Sequence, residues 1–195
     1  MFPLIDRGKR PIHSDCMRKY AARHEQPLTP DCRAIEAAIG YLTLGLPEEA
    51  DEEIEGLSPE LYHSKTILSL RASIYCEANW WTRLRDVARV LVNKWPGECD
   101  HWILLGCATR RCISIDESNA VFSESLIFHE SEPLIHFHLA CNAAHIGERQ
   151  TAREYLSKAL LLDPNIGLIA LEDADLAPLW LSMERQKLGA AGYSL

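Results

Sequence analysis

"HLACNAAHIGERQTAREYLSKALLLDP", residues 138–164, holds two amphipathic stretches separated by Ile-Gly and closed by Asp-Pro. In each, apolar residues recur every three or four positions, the spacing of one helix face. Glycine in the gap suits the left-handed residue that ends a helix, and proline stops the second stretch. The segment therefore spells a helix hairpin, a unit that must stack on copies of itself to bury its apolar faces.

The chain writes that unit four times. In rows of about 34 residues starting at Asp31, Lys65, Cys99 and Pro133, the columns align without a gap. The eighth column is always small: Ala38, Ala72, Gly106, Ala140. The fifteenth reads Gly45, Asn79, Ile113, Gly147, so three of four rows carry a residue that tolerates the left-handed conformation. The twentieth reads Ala50, Leu84, Ser118, Ala152, the twenty-fourth Ile54, Ala88, Phe122, Leu156, and the thirty-second Tyr62, Pro96, Glu130, Pro164. A small residue in the first helix admits the second helix closely, a small residue there answers it, and larger side chains fill the seam. Row two exchanges sizes, with Leu84 large and Ala88 small, as volume compensation requires.

"WILLG", residues 102–106, and the opening stretch resemble tetratricopeptide repeats through their Trp, Leu-Gly, Ala, large apolar, Ala and Pro positions. Tyr41 and Tyr75 match the eleventh column, Thr109 and Ala143 depart from it, and Arg71 stands where Leu is usual. The resemblance covers about residues 31–166. It implies an all-α chain, a right-handed α-α superhelix or solenoid of four hairpins (31–64, 65–98, 99–132, 133–166), with an N-terminal arm at 1–30. Residues 167–195 are expected to hold a C-terminal capping helix over 172–187 with Trp180 and Leu181 turned inward, then a loose tail. Thr29 with Pro30 predicts the first helix start, and Pro47 followed by acids the second. Residues 14–24 form a candidate leading helix capped by Ser14 or Asp15.

In such arrays the second, fifth, ninth, twelfth and thirteenth columns line a concave groove. The resemblance places Ile35, Ile39 and Leu42 there in repeat one, and Thr66, Ser69, Ser73 and Cys76 in repeat two. Repeat three adds Asp100, Ile103, Cys107, Arg110 and Arg111, and repeat four Leu134, Phe137, Cys141 and His145. This groove is apolar at one end, small and polar in the middle, and basic with aromatic at the other. It suits a partner peptide with apolar anchors and an acidic group near Arg110, Arg111 and His145. Alternatively, the N-terminal arm covers Ile35 and Ile39. The family's carboxylate clamp for chaperone tails is missing, since Ile35, Ile39, Leu70, Asp100 and Leu104 hold its positions.

Other features bound the function. The net charge is −8, with 47% hydrophobic and 25% charged residues, which fits a globular chain and argues against binding nucleic acid or an anionic membrane. Residues 1–30 carry six Lys/Arg against three Asp/Glu, and residues 31–60 nine Asp/Glu against one Arg. The acidic run Glu48–Glu55 reads as a solvated helix face that would also suit a basic partner. Seven cysteines at irregular spacing, with no Cys-x-x-Cys, predict reduced thiols and a cytoplasmic protein. No secretory leader or long apolar run is evident.

His138, Cys141 and His145 share helical spacing, and with Cys107 they suggest a metal set; packed polar groups at a helix seam are the preferred reading. Cys107 and Cys112 flank the odd turn before Ile113, where Arg110 and Arg111 would favour a thiolate; small buried cysteines are the simpler alternative. No nucleotide-binding, nucleophile-elbow, zinc-protease or calcium-loop pattern occurs, and no cofactor or enzymatic activity is expected. The leading expectation is a non-catalytic adaptor or chaperone-like module, alike in general architecture to the small chaperones of bacterial secretion systems. A homodimer built through repeat faces or the N-terminal arm is the second, and a metal- or redox-responsive repeat protein the third.

Overall fold

The structure, a computed structural model, describes residues 29–180. The expected leading helix, Leu181 and the tail lie outside the described residues. The chain divides after Trp80 into two compact units. The first contains α1 (Pro30–Thr43), α2 (Pro47–Glu55) and α3 (Lys65–Glu77). The second contains α4 (Trp81–Lys94), α5 (Cys99–Cys112), α6 (Ile115–His129), α7 (Pro133–His145), α8 (Arg149–Leu162) and α9 (Ile166–Glu172). No strand occurs among the described residues, and no helix there is long and apolar enough to cross a membrane.

The first helices of the four repeats begin within one residue of the expected rows. Thr29 caps α1 by accepting from the Cys32 amide at 3.2 Å, with Pro30 at the first turn. Ser64 and Ser114 cap α3 and α6 in the same way. These bonds satisfy amide donors that a helix start leaves free. The hairpin turns divide as their sequences predict. Gly45, Asn79 and Gly147 have φ of 72°, 58° and 86°, whereas Ile113 has φ −124° and ends α5 without the left-handed residue. A β-branched side chain is poorly tolerated at positive φ, so the third turn takes another path.

The seam columns are buried throughout: Ala38, Ala72, Gly106 and Ala140 against Ala50, Ser118, Ala152, Ile54, Phe122 and Leu156. Gly106 is obligatory in this packing, since a Cβ there would lie 2.3 Å from the Phe122 ring. Ser118 Oγ donates to the Gly106 carbonyl at 2.9 Å and accepts from Asn142 Nδ2 at 3.1 Å. One hydroxyl thereby ties α5, α6 and α7 together, donating once and accepting once. Trp102 packs with Ala88, Val92 and Leu105, and its indole N–H donates to the Pro96 carbonyl at 2.8 Å.

Two departures from the repeat pattern answer each other. The Arg71 guanidinium, where Leu is usual, lies 3.9 Å from the centre of the Tyr62 ring, where Pro is usual. The pair is a cation–π contact. Repeat one departs further than expected: α2 stops at Glu55, and the path from Gly56 to Ser64 is made of turns. Ser58 fixes this path by donating its amide and hydroxyl to Asp31 at 3.0 and 2.8 Å.

The capping segment also differs from expectation. Rather than one helix over 172–187, α9 ends at Glu172, a turn follows at 173–176, and helix resumes at 177–180. Pro178 explains the restart, because proline is accommodated in a first helical turn but not inside a helix. Trp180 is half-buried and donates to the Ala170 carbonyl at 3.2 Å, which holds the restarted helix against α9.

Candidate functional site

In the first unit, the groove columns of α1 and α3 are not equally open. Ile35 is buried, Ile39 and Leu42 are half-buried, Ser69 and Cys76 are half-buried, and Thr66 and Ser73 are exposed. Burial raises the Cys76 thiol pKa, with Glu77 adding to the effect, so this cysteine is held as a neutral thiol. Ser73 Oγ donates back to the Ser69 carbonyl at 3.1 Å, leaving a small polar strip along α3.

In the second unit the expected residues separate into three groups. Ile103 and Cys107 are half-buried and pack on one side against Phe122, Ile135 and Leu139. Phe137 is 3% exposed and Cys141 is fully buried, so neither lines an open groove; Leu134 is buried too. That placement is corrected for a physical reason: α7 packs against α6, α8 and α9, and its residues from Leu134 to Ala144 are all buried. Arg110, Arg111 and His145 retain access to polar partners. Arg111 is exposed, with its guanidinium 5.4 Å from the centre of the Trp81 ring.

Arg110 and His145 meet on one carboxylate that the sequence reading did not include. Arg110 Nη2 lies 2.7 Å from Asp175 Oδ2, and His145 Nδ1 lies 2.9 Å from Asp175 Oδ1. The Arg110 and Asp175 side chains are only 13% and 18% exposed, so the pair is shielded from solvent more than an ordinary surface bridge. The signal available in the sequence was Pro178, which marks a break beside Asp175. Nothing local to Asp175 points to Arg110.

The suggested metal set does not assemble. His145 turns to Asp175, while the His138 ring stacks on Phe122 with centroids 5.3 Å apart and planes 7° from parallel. Cys107 Sγ sits 3.8 Å from His138 Nε2 and 3.9 Å from Nδ1. Burial, then the nearby Arg110 charge, lowers the His138 pKa to about 4, so the ring is neutral near pH 7. Burial likewise pushes the Cys141 thiol far up, with Asp173 and Asp175 adding to it. Among the described residues, no group of three or more His, Cys, Asp or Glu is placed to hold a metal ion. The two arginines expected to activate Cys107 or Cys112 have other neighbours, Arg110 on Asp175 and Arg111 over Trp81.

No protein-family model matches the chain, and no curated protein matches it. Solved structures do. The chain is similar to "MamA MSR-1 C2", with a TM-score of 0.62, 16% identity, and coverage of 78% of this chain and 91% of that one. It is also similar to TTC0263, a thermophilic TPR protein in Thermus thermophilus, with a TM-score of 0.59, 19% identity, and coverage of 80% and 84%. At such identities the likeness concerns the fold, and it agrees with the repeat columns and the hairpin helices derived above: the chain has the all-α tetratricopeptide-repeat fold.

Proposed function

We propose that this chain is a non-catalytic interaction module, adaptor or chaperone-like, which holds a peptide segment of a partner protein on the groove side of its first helices. The observation that carries this reading is the Arg110–His145 pair, whose two cation-capable side chains, from different repeats, converge on one carboxylate. Convergent donors of this kind select acidic groups by charge and geometry together. Half-buried Ile103 and Cys107 in the same unit offer apolar surface for anchors. Membership of the tetratricopeptide fold supports protein binding in general. The described cysteines are all free, which suits a cytoplasmic site of action.

A paired pull-down from native lysate tests it, using wild type, Arg111→Glu and Ser73→Glu. Both positions are exposed, so circular dichroism should be unchanged. A protein retained by wild type and lost from either variant is the expected result. Equal retention by all three would move binding to another surface.

A second reading, self-assembly, is favoured by Leu161, Leu168 and Leu171, which are 85%, 70% and 67% exposed near the end of the second unit. Large apolar side chains left open in this way commonly mark association surfaces. Mass that rises with protein concentration would support it, and a monomer at all concentrations would remove it.

A further inference from the structure

The carboxylate on Arg110 and His145 arrives as part of a compact segment. Asp173 accepts from the Asp175 amide at 2.8 Å, and Leu176 and Leu179 amides donate to the Asp173 and Leu176 carbonyls at 3.2 and 2.9 Å. This turn presents the Asp175 carboxylate to Arg110 and His145 while Leu176 and Leu179 go inward, at 0% and 1% exposure. Burial raises the Asp173 pKa, with Asp175 adding to it, whereas its bonds to the Asp175 and Leu176 amides oppose the rise. An acid with leucines one and four positions later therefore docks as a set: charge on the groove columns, apolar groups in the core.

We infer that residues 173–180 are a resident ligand of the groove, and that the Arg110–His145 site takes from a partner protein a peptide in which a carboxylate is followed by an apolar residue, in exchange for Asp175 and its leucines. The inference rests on the proposed reading of the first-helix faces as a peptide-binding surface. Its physical basis is the match between the chemistry expected of a partner at Arg110 and His145 and the chemistry the chain itself supplies there. A tethered ligand acts at high effective concentration, so a free peptide meets the site mostly closed. Its apparent affinity falls in proportion to the fraction of open sites. The segment thus sets a threshold that weak acidic peptides do not pass.

The test is fluorescence anisotropy with a labelled synthetic peptide of residues 172–180, EDADLAPLW, titrated into the full chain. Asp175→Asn keeps the side-chain shape and removes the charge, so it should bind the peptide at least about tenfold more tightly than wild type. Arg110→Gln added to Asp175→Asn should abolish that gain, as should Asp→Asn at the fourth residue of the peptide. Hydrogen exchange on wild type supplies a readout that needs no variant: saturating peptide should lower protection of the Asp175, Leu176 and Leu179 amides. Equal binding to wild type and Asp175→Asn, or unchanged protection under saturating peptide, overturns the inference and leaves residues 173–180 as a fixed cap. If the peptide binds neither protein while Arg111→Glu still loses a lysate partner, the resident-ligand inference fails and the groove reading stands. If both tests fail, the groove reading fails with it.

Discussion

α3 and α7 are first helices of the same length, starting on the same repeat column, yet their surroundings differ. In α3 the fifth and ninth columns are Ser69, half-buried, and Ser73, exposed; in α7 they are Phe137 and Cys141, both buried. A repeat column determines where a side chain points and leaves open what comes to lie against it. For α7 the answer is α6, α8 and α9, with Asp175 reaching His145 at the helix end. The residue types agree with the outcome: α7 carries no Asp, Glu, Lys or Arg and buries its own His136, His138 and Asn142 among apolar residues, while α3 keeps serines on one face.

The most severe test of this contrast is truncation at the shared fifth column. Phe137→Ala should cost about 3–5 kcal/mol, the usual range for emptying a buried aromatic site. Ser69→Ala should stay within about 0.5 kcal/mol, as for a change away from any buried feature. Urea unfolding of the two variants against wild type measures both. Comparable losses would mean that α7 is no better covered than α3.

The next test uses pH. α7 carries His138 at the column where α3 carries Leu70. Unfolded, an imidazole takes up its proton below its ordinary value near 6.5; folded, His138 does so only near pH 4. The unfolded state therefore binds more protons between those values, and stability falls as pH falls. The contribution is complete above pH 6.5 and decreases by about 3 kcal/mol on descending to pH 4. His138→Gln should lose less stability than wild type across that window. Parallel curves for the two proteins would show that His138 is not held neutral by its surroundings.

Most of the hairpin architecture was legible because repeat columns report local events: a turn residue, a small residue at a close crossing, a helix stop. Gly56 and Ser58-Pro59 are breaker signals consistent with the short α2, which the repeat columns do not show. In the sequence Arg71 stands out alone as a departure from the pattern, and only its contact with Tyr62 makes the two one feature. The candidate site was half legible for a similar reason. Arg110 and His145 follow from helix phase, whereas the carboxylate between them comes from a distant turn whose placement depends on tertiary packing. Burial of Phe137 and Cys141 depends on that packing as well.

What α3 and α7 share is the turn that ends them, and here the expected effects are smallest. Asn79 after α3 and Gly147 after α7 both have positive φ, at 58° and 86°. Adding a Cβ at Gly147 meets no atom within 4 Å, so a cost of Gly147→Ala is backbone strain alone. It should be about 1 kcal/mol by thermal or urea unfolding. Ile113→Ala, at the turn with φ −124° and an exposed side chain, should remain within about 0.5 kcal/mol. A Gly147→Ala variant as stable as wild type would show that the α7 turn can relax toward the path taken after α5. The left-handed residue would then be a convenience of the repeat and no longer a requirement of the hairpin.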